Sequence, residues 1–263
     1  MSTDLSTENT ASTRGVAIDL TGKVALVTGG SRGLGRAMVA GFAAAGADVV
    51  IASRNGDACA KYASEITELT GRRAFGIGVH VGKWDDLDRL TDQVYDEFGQ
   101  VDVLVNNAGM SPLYDTIDSV SEEFFDKVIG VNLKGPFRLT ANIGSRMTQG
   151  NGGSIINISS ASAVHPRAGL VPYAAAKAAL NAMTIGMAHT LGPTVRCNAI
   201  MAGTFLTDVS KSWDMEAFGK RAEGFALGRG GQPDEIVGTA LYLASDLSSF
   251  TTGAIIPVDG GHP

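Results

Sequence analysis

Seven short apolar runs recur along this chain with helical stretches between them, and this alternation limits the fold more than any other feature. The runs are 23–28, 48–53, 73–79, 102–106, 154–159, 194–200 and 254–258. Several, such as VALV, VVIA and SIINI, are near-continuous in apolar residues, the pattern of strands covered on both faces in a parallel sheet. Helices are expected around 33–46, 57–70, 84–98, 121–149, 172–191 and 233–245. Repeated β-α-β units with right-handed crossovers predict one doubly wound α/β domain, a seven-stranded parallel sheet with helices on both faces. Ligands in such folds sit beyond the carboxyl ends of the strands, near the topological switch point.

Composition narrows the function classes. With 44% hydrophobic and 18% charged residues over 263 positions, the chain suits a single core-rich domain. A net charge of −6 argues against a nucleic-acid surface while leaving room for a local phosphate site. Two cysteines, Cys59 and Cys197, without a CxxC, and four scattered histidines suggest neither disulfides nor a metal site. Residues 1–19 read as a flexible polar tail before a domain over 20–263, with no signal or transit pattern. The most apolar run, 37–52, is broken by Gly41, Gly46 and Asp48, so no membrane span is expected and a cytoplasmic protein is. The sequon at Asn157 lies in a strand-like run and is discounted. The irregular stretch 203–231 is long enough to be a lid or insertion.

Strand one runs into Gly29-Gly30-Ser31-Arg32-Gly33-Leu34-Gly35, where a helix begins. Glycine permits a tight turn and close approach, and a helix N-terminus offers unpaired amides, so the turn suits a pyrophosphate. It lacks the lysine of a P-loop. At the end of strand two, an acid would bond the adenosine ribose hydroxyls and select NAD. Ser53 stands there instead, followed by Arg54, and Arg32 lies inside the glycine turn. Two guanidinium groups suit a 2′-phosphate, which favours NADP, with NAD possible; the alternative is two solvated surface charges. Further along, YAAAK places Tyr173 and Lys177 on one helical face, either as helix packing or as a phenol beside a cation.

With these motifs, NNAG at 106–109, Asn132 in VNLKG, Ser160 thirteen residues before Tyr173, and VDGG at 258–261, the chain resembles the short-chain dehydrogenase/reductase family, classical branch, over about 20–261. The resemblance implies a Rossmann-type fold and an NADP(H)-dependent oxidoreductase interconverting a ketone and a secondary alcohol. It makes Tyr173 the general acid/base and Ser160 the hydrogen-bond donor to the substrate oxygen. Lys177 would lower the Tyr173 pKa and bind the nicotinamide ribose. Asn132 would hold a water for proton refill, or simply tie a helix kink. Bringing a phenol from about 10 to about 7 takes roughly 4 kcal/mol of preferential phenolate stabilisation. Gly29, Ser31, Arg32, Gly33, Leu34, Gly35, Ser53, Arg54, Val81, Asn106, Ala108 and Gly109 would contact the cofactor, with Gly203 and Thr207 beside its nicotinamide. Asn106 could instead cap a strand end.

Two departures stand out. His80 occupies the place of the family's adenine-contacting aspartate, and Ala202-Gly203 replaces Pro-Gly. The substrate pocket is expected at 111–114, 162–170 and 204–225, including Leu113, Val164, Leu170, Phe205, Leu206, Trp213 and Phe218. It suits a mid-sized, partly apolar carbonyl or alcohol. The resemblance further implies a homotetramer, with Ala175, Ala178, Ala179, Ala182 and Gly186 permitting close helix approach. A non-catalytic dinucleotide sensor is the alternative from another class; an epimerase of the extended branch lacks support from the glycine spacing.

Overall fold

A parallel sheet buried between two helical layers needs strands that are apolar on both faces. In the computed structural model, which describes residues 18–208, 210 and 214–263, the chain builds this sheet. Its strands are β1 (Val24–Thr28), β2 (Asp48–Ser53), β3 (Ala74–Gly78), β4 (Val103–Asn106), β5 (Gly153–Ser160), β6 (Val195–Ala202) and β7 (Ile255–Val258). All pair in parallel, in the order β3-β2-β1-β4-β5-β6-β7. The order reverses between β1 and β4, which puts the switch point beside the glycine turn.

Successive strand residues feed opposite layers. Ala25 and Val27 of β1 join a core with α1 (Gly33–Ala44), α2 (Gly56–Thr70) and α8 (Val237–Ala244). Val24 and Leu26 join the other, with α3 (Trp84–Phe98), α5 (Gly135–Gln149) and α6 (Val171–Leu191). A polar chain crosses the sheet: Asn106 Nδ2 donates to Thr140 Oγ1 (3.1 Å) and Asn157 Oδ1 (2.9 Å), and Asn157 Nδ2 to Thr184 Oγ1 (2.9 Å). Asn157 is fully buried, which removes it as a glycosylation acceptor in the folded chain.

Three expectations need correction. The helix expected over 121–149 is broken into α4 (Glu122–Ile129), a π turn at Gly130–Lys134 and α5. The cause is tertiary: Asn132 Nδ2 bonds both Val128 O (2.9 Å) and Met110 O (2.8 Å), drawing the helix toward the loop after β4. Within 203–231 lies a further helix, α7 (Met215–Ala222), whose N-cap Asp214 accepts from Glu216 N and Ala217 N. The 233–245 helix opens with a 3₁₀ turn, Pro233–Ile236, before α8. Most of the 1–19 tail, 1–17, lies outside the described residues. Among the described residues no helix is long and apolar enough to cross a membrane.

Candidate active site

The phosphate turn is shaped by what a side chain would strike. A Cβ on Gly35 would fall 2.3 Å from Gly29 O and 2.5 Å from Asn107 Nδ2, so only glycine fits there. Gly29 and Gly33 have φ of 66° and 54°, the left-handed region that glycine tolerates. The turn therefore lies as a bare backbone cradle at the start of α1, whose first turn carries no acidic residue to oppose an anion. Leu34, partly buried, packs against the core beneath it. Asn107 holds the cradle: its Nδ2 donates to Thr28 O (2.8 Å) and Gly29 O (3.2 Å). Thr28 Oγ1 answers by accepting from Asn107 N (3.0 Å) and Ala108 N (3.1 Å).

At the end of β2, Ser31 Oγ donates to Ser53 Oγ (3.0 Å), joining the cradle to the strand end. Arg32 and Arg54 are exposed beside them, and neither has a carboxylate partner among the described residues. An open cavity of about 600 Å³ lies against Arg54, Asn55, Gly56 and Asp57. The cradle, the uncountered helix end and two unpaired cations together fit a phosphorylated dinucleotide. Val81 is buried, and its carbonyl lies 2.2 Å from where a Gly135 Cβ would sit. His80 Nδ1 accepts from Gly82 N (3.2 Å), so this ring is turned to its own loop.

The proposed reacting groups meet at the carboxyl ends of β4 and β5. Ser160 ends β5, and its Oγ accepts from Ser162 N (3.1 Å), leaving the hydroxyl proton to donate toward Tyr173. Tyr173 stands, half-buried, in the first turn of α6. Burial raises its pKa, and the Ser160 hydroxyl acts in the opposite direction. Lys177, one turn on, is 3% exposed and donates from Nζ to Ile158 O at 2.7 Å. Its Nζ is 5.8 Å from the Tyr173 ring centroid, and burial lowers its pKa to about 8. The spacing brought the pair to one face, and in the cofactor-free chain burial sets the direction of the Tyr173 shift. Desolvation of the phenol outweighs Ser160, and the ammonium is committed to a carbonyl.

Asn132 is fully buried, and both ends of its amide serve the backbone: Oδ1 also accepts from Met110 N (3.2 Å). Its side chain ties the kink. A Cβ on Gly109 would lie 3.1 Å from Asn132 Oδ1 and 3.7 Å from Lys177 Nζ, so Gly109 borders both groups. Asn106 turns its side chain away from the cradle. Its amide faces the interior chain, and Asn107, one residue on, faces the cradle. Asn107 lies within NNAG, where alternation at a strand end is the signal that marks it.

The remaining site segments converge above the sheet. Gly203 N donates to Val258 O (2.9 Å), and a Cβ there would strike Asp259 Cα at 2.5 Å. Thr207 lies over the glycine turn, 3.5 Å from where a Gly33 Cβ would be. The excursion after β6 closes at its base through Leu206 N to Gly231 O (2.8 Å) and Gly231 N to Thr204 O (3.0 Å). It carries its own small core of Phe218, Ala222 and Phe225, with Leu206 packed against it. Trp213 lies outside the described residues. Leu113 and Val164 are exposed, and Tyr114 Oη accepts from Val171 N (3.3 Å), fixing the loop after β4 to the start of α6.

Comparison with known proteins gives concordant results. A family model described as enoyl-(acyl carrier protein) reductase matches residues 29–262. An L-rhamnose 1-dehydrogenase (NAD(P)(+)) of Azotobacter vinelandii is 39% identical, over 91% of this chain and 96% of its own length. A 3-oxoacyl-[acyl-carrier-protein] reductase of Aquifex aeolicus is 35% identical, over 93% and 98%. The crystal structure of L-sorbose reductase from Gluconobacter frateurii, complexed with NADPH and L-sorbose, is 28% identical. It superposes with a TM-score of 0.87, covering 94% of this chain and 98% of that one.

Proposed function

The chain belongs to the short-chain dehydrogenase/reductase family, as an NAD(P)-dependent oxidoreductase acting on CH–OH groups, and from this premise we propose that it interconverts a ketone and a secondary alcohol with NADP(H), using Tyr173 as general acid/base. The observation that carries the reading is the meeting of Ser160, Tyr173 and a buried Lys177 at the carboxyl edge of the sheet. When bound, the dinucleotide supplies the hydride. Tyr173 gives its phenolic proton to the carbonyl oxygen in reduction and takes the hydroxyl proton in oxidation. Ser160 turns its hydroxyl proton to the same oxygen and steadies the charge that develops there. Lys177 would bond the nicotinamide ribose, and Asn132 holds the kink and the Met110 backbone next to Gly109.

Preference for NADP follows from Ser53 in place of an acid and from the unpaired Arg32 and Arg54. The L-sorbose reductase structure is described with NADPH, and the L-rhamnose dehydrogenase with NAD(P). Turnover of a carbonyl panel, followed by NADPH or NADH absorbance, tests the reading. NADPH is expected to be preferred, and Arg54→Ala to narrow the gap by about ten- to hundredfold, the value of a charge-assisted contact to phosphate. A wild-type preference for NADH, or a gap untouched in Arg54→Ala, contradicts the cofactor assignment.

The same reading includes a homotetramer. On α6, Ala175, Ala178, Ala182 and Gly186 are exposed, and Ile185 is 45% exposed beside them. Sedimentation at micromolar concentration is expected to give a mass of four chains; a monomer alone refutes it.

A further inference from the structure

The chain has 27 acidic residues against 21 basic ones, so an arginine without an acidic partner is worth explaining. Arg36, Arg72, Arg73, Arg89, Arg138, Arg146 and Arg229 each pair with a carboxylate. Arg167 and Arg221 have none among the described residues, and a chain of ring and hydrogen-bond contacts connects them. Arg167 lies in the segment that joins Ser160 to Tyr173. It donates from Nη2 to His262 Nε2 at 2.5 Å, a bond that requires the ring lone pair there. His262 Nδ1 then donates to Pro263 O (3.0 Å), which sets the same tautomer. Arg221, on α7, donates to Thr204 Oγ1 (3.2 Å) and lies 5.9 Å from the centre of the Phe225 ring. Phe225 stacks on His262 at 4.8 Å, closing a circuit from one arginine to the other.

Burial, and then the like charge of Arg167, hold the Arg221 pKa below the ordinary guanidinium range. The like charge of Arg167 disfavours the Arg221 cation, and an anion between the two would relieve this. The elements carrying them follow β5, β6 and β7, at the carboxyl edge where the substrate must lie. Cofactor phosphates have their own unpaired arginines, Arg32 and Arg54, on the opposite side of the switch point. We propose that Arg167 and Arg221 form an anion grip for the substrate, so that the enzyme selects carbonyl compounds bearing a carboxylate or phosphate group. This rests on the oxidoreductase reading only for its turnover arm.

The direct test is calorimetric titration with succinate and with inorganic phosphate, under saturating NADPH so that the pyrophosphate cradle is filled. One or both anions are expected to bind, and the stronger identifies the group recognised. Arg167→Gln/Arg221→Gln is expected to weaken binding by about ten- to hundredfold, and Arg167→Lys/Arg221→Lys to retain most of it. No binding to wild type, or equal binding to the glutamine variant, overturns the proposal. In turnover, keto acids are compared with their methyl esters, and phosphate monoesters of keto alcohols with the parent compounds. Wild type is expected to favour the charged member in kcat/KM by about tenfold or more, and the glutamine variant to lose that ratio. A wild-type ratio near one also overturns it. If no carbonyl compound turns over while the titration result holds, the oxidoreductase reading fails and the anion grip stands.

Discussion

Replacing Tyr173 with phenylalanine is expected to lower turnover by about 10²- to 10⁴-fold, the usual contribution of a positioned acid or base. Cofactor affinity should change little, because the ring remains and only the phenolic oxygen is lost. The oxygen interacts with Ser160, and one such hydrogen bond contributes about 1 kcal/mol, so the fold should survive. Steady-state rates and an NADPH titration on one preparation check this pair of expectations. Near wild-type turnover would reduce Tyr173 and Lys177 to helix packing.

Lys177→Met should act differently on rate and on stability. The buried ammonium has a pKa of about 8 against 10.5 for the free group, a cost of about 3 kcal/mol when charged. Because the folded pKa is depressed, that cost is fully present below pH 8. It is relieved between pH 8 and 10.5, where the unfolded chain binds more protons. Methionine removes the cost but leaves Ile158 O without its donor, a loss of about 1–3 kcal/mol. At neutral pH the two nearly cancel. Denaturant unfolding should therefore show stability close to wild type at pH 7, with the rise above pH 8 abolished. Turnover should fall by about 10²-fold or more and NADPH affinity with it, since the proposed ribose contact and the charge are both lost. Unchanged kinetics with altered stability would make Lys177 a structural residue.

The strand pattern was legible because each strand feeds two cores, so Val24 and Leu26 are as apolar as Ala25 and Val27. The break at Gly130–Lys134 was not, because it depends on Asn132 reaching Met110, 22 residues away. α7 escaped notice because only Phe218 and Ala222 of its eight residues are buried, too few to show a helical period. At the site, spacing placed Tyr173 and Lys177 on one face, but the direction of each pKa depends on burial that no spacing reveals. The link from Arg167 to Arg221 was hidden for a similar reason: it runs through His262 and Phe225, which come together only in the folded chain.

The pH dependence of single-turnover alcohol oxidation, measured on wild type and Tyr173→Phe with saturating NADP, tests the central assignment most directly. Oxidation requires phenolate, whose fraction grows as pH rises. Desolvation holds the Tyr173 pKa up in the cofactor-free chain, so an oxidised, positively charged nicotinamide must bring it down in the complex. The account predicts a wild-type rate that climbs with pH to a plateau below the titration of free tyrosine, and a slow, pH-independent rate for Tyr173→Phe. The same climb persisting in Tyr173→Phe would show that another group takes the proton.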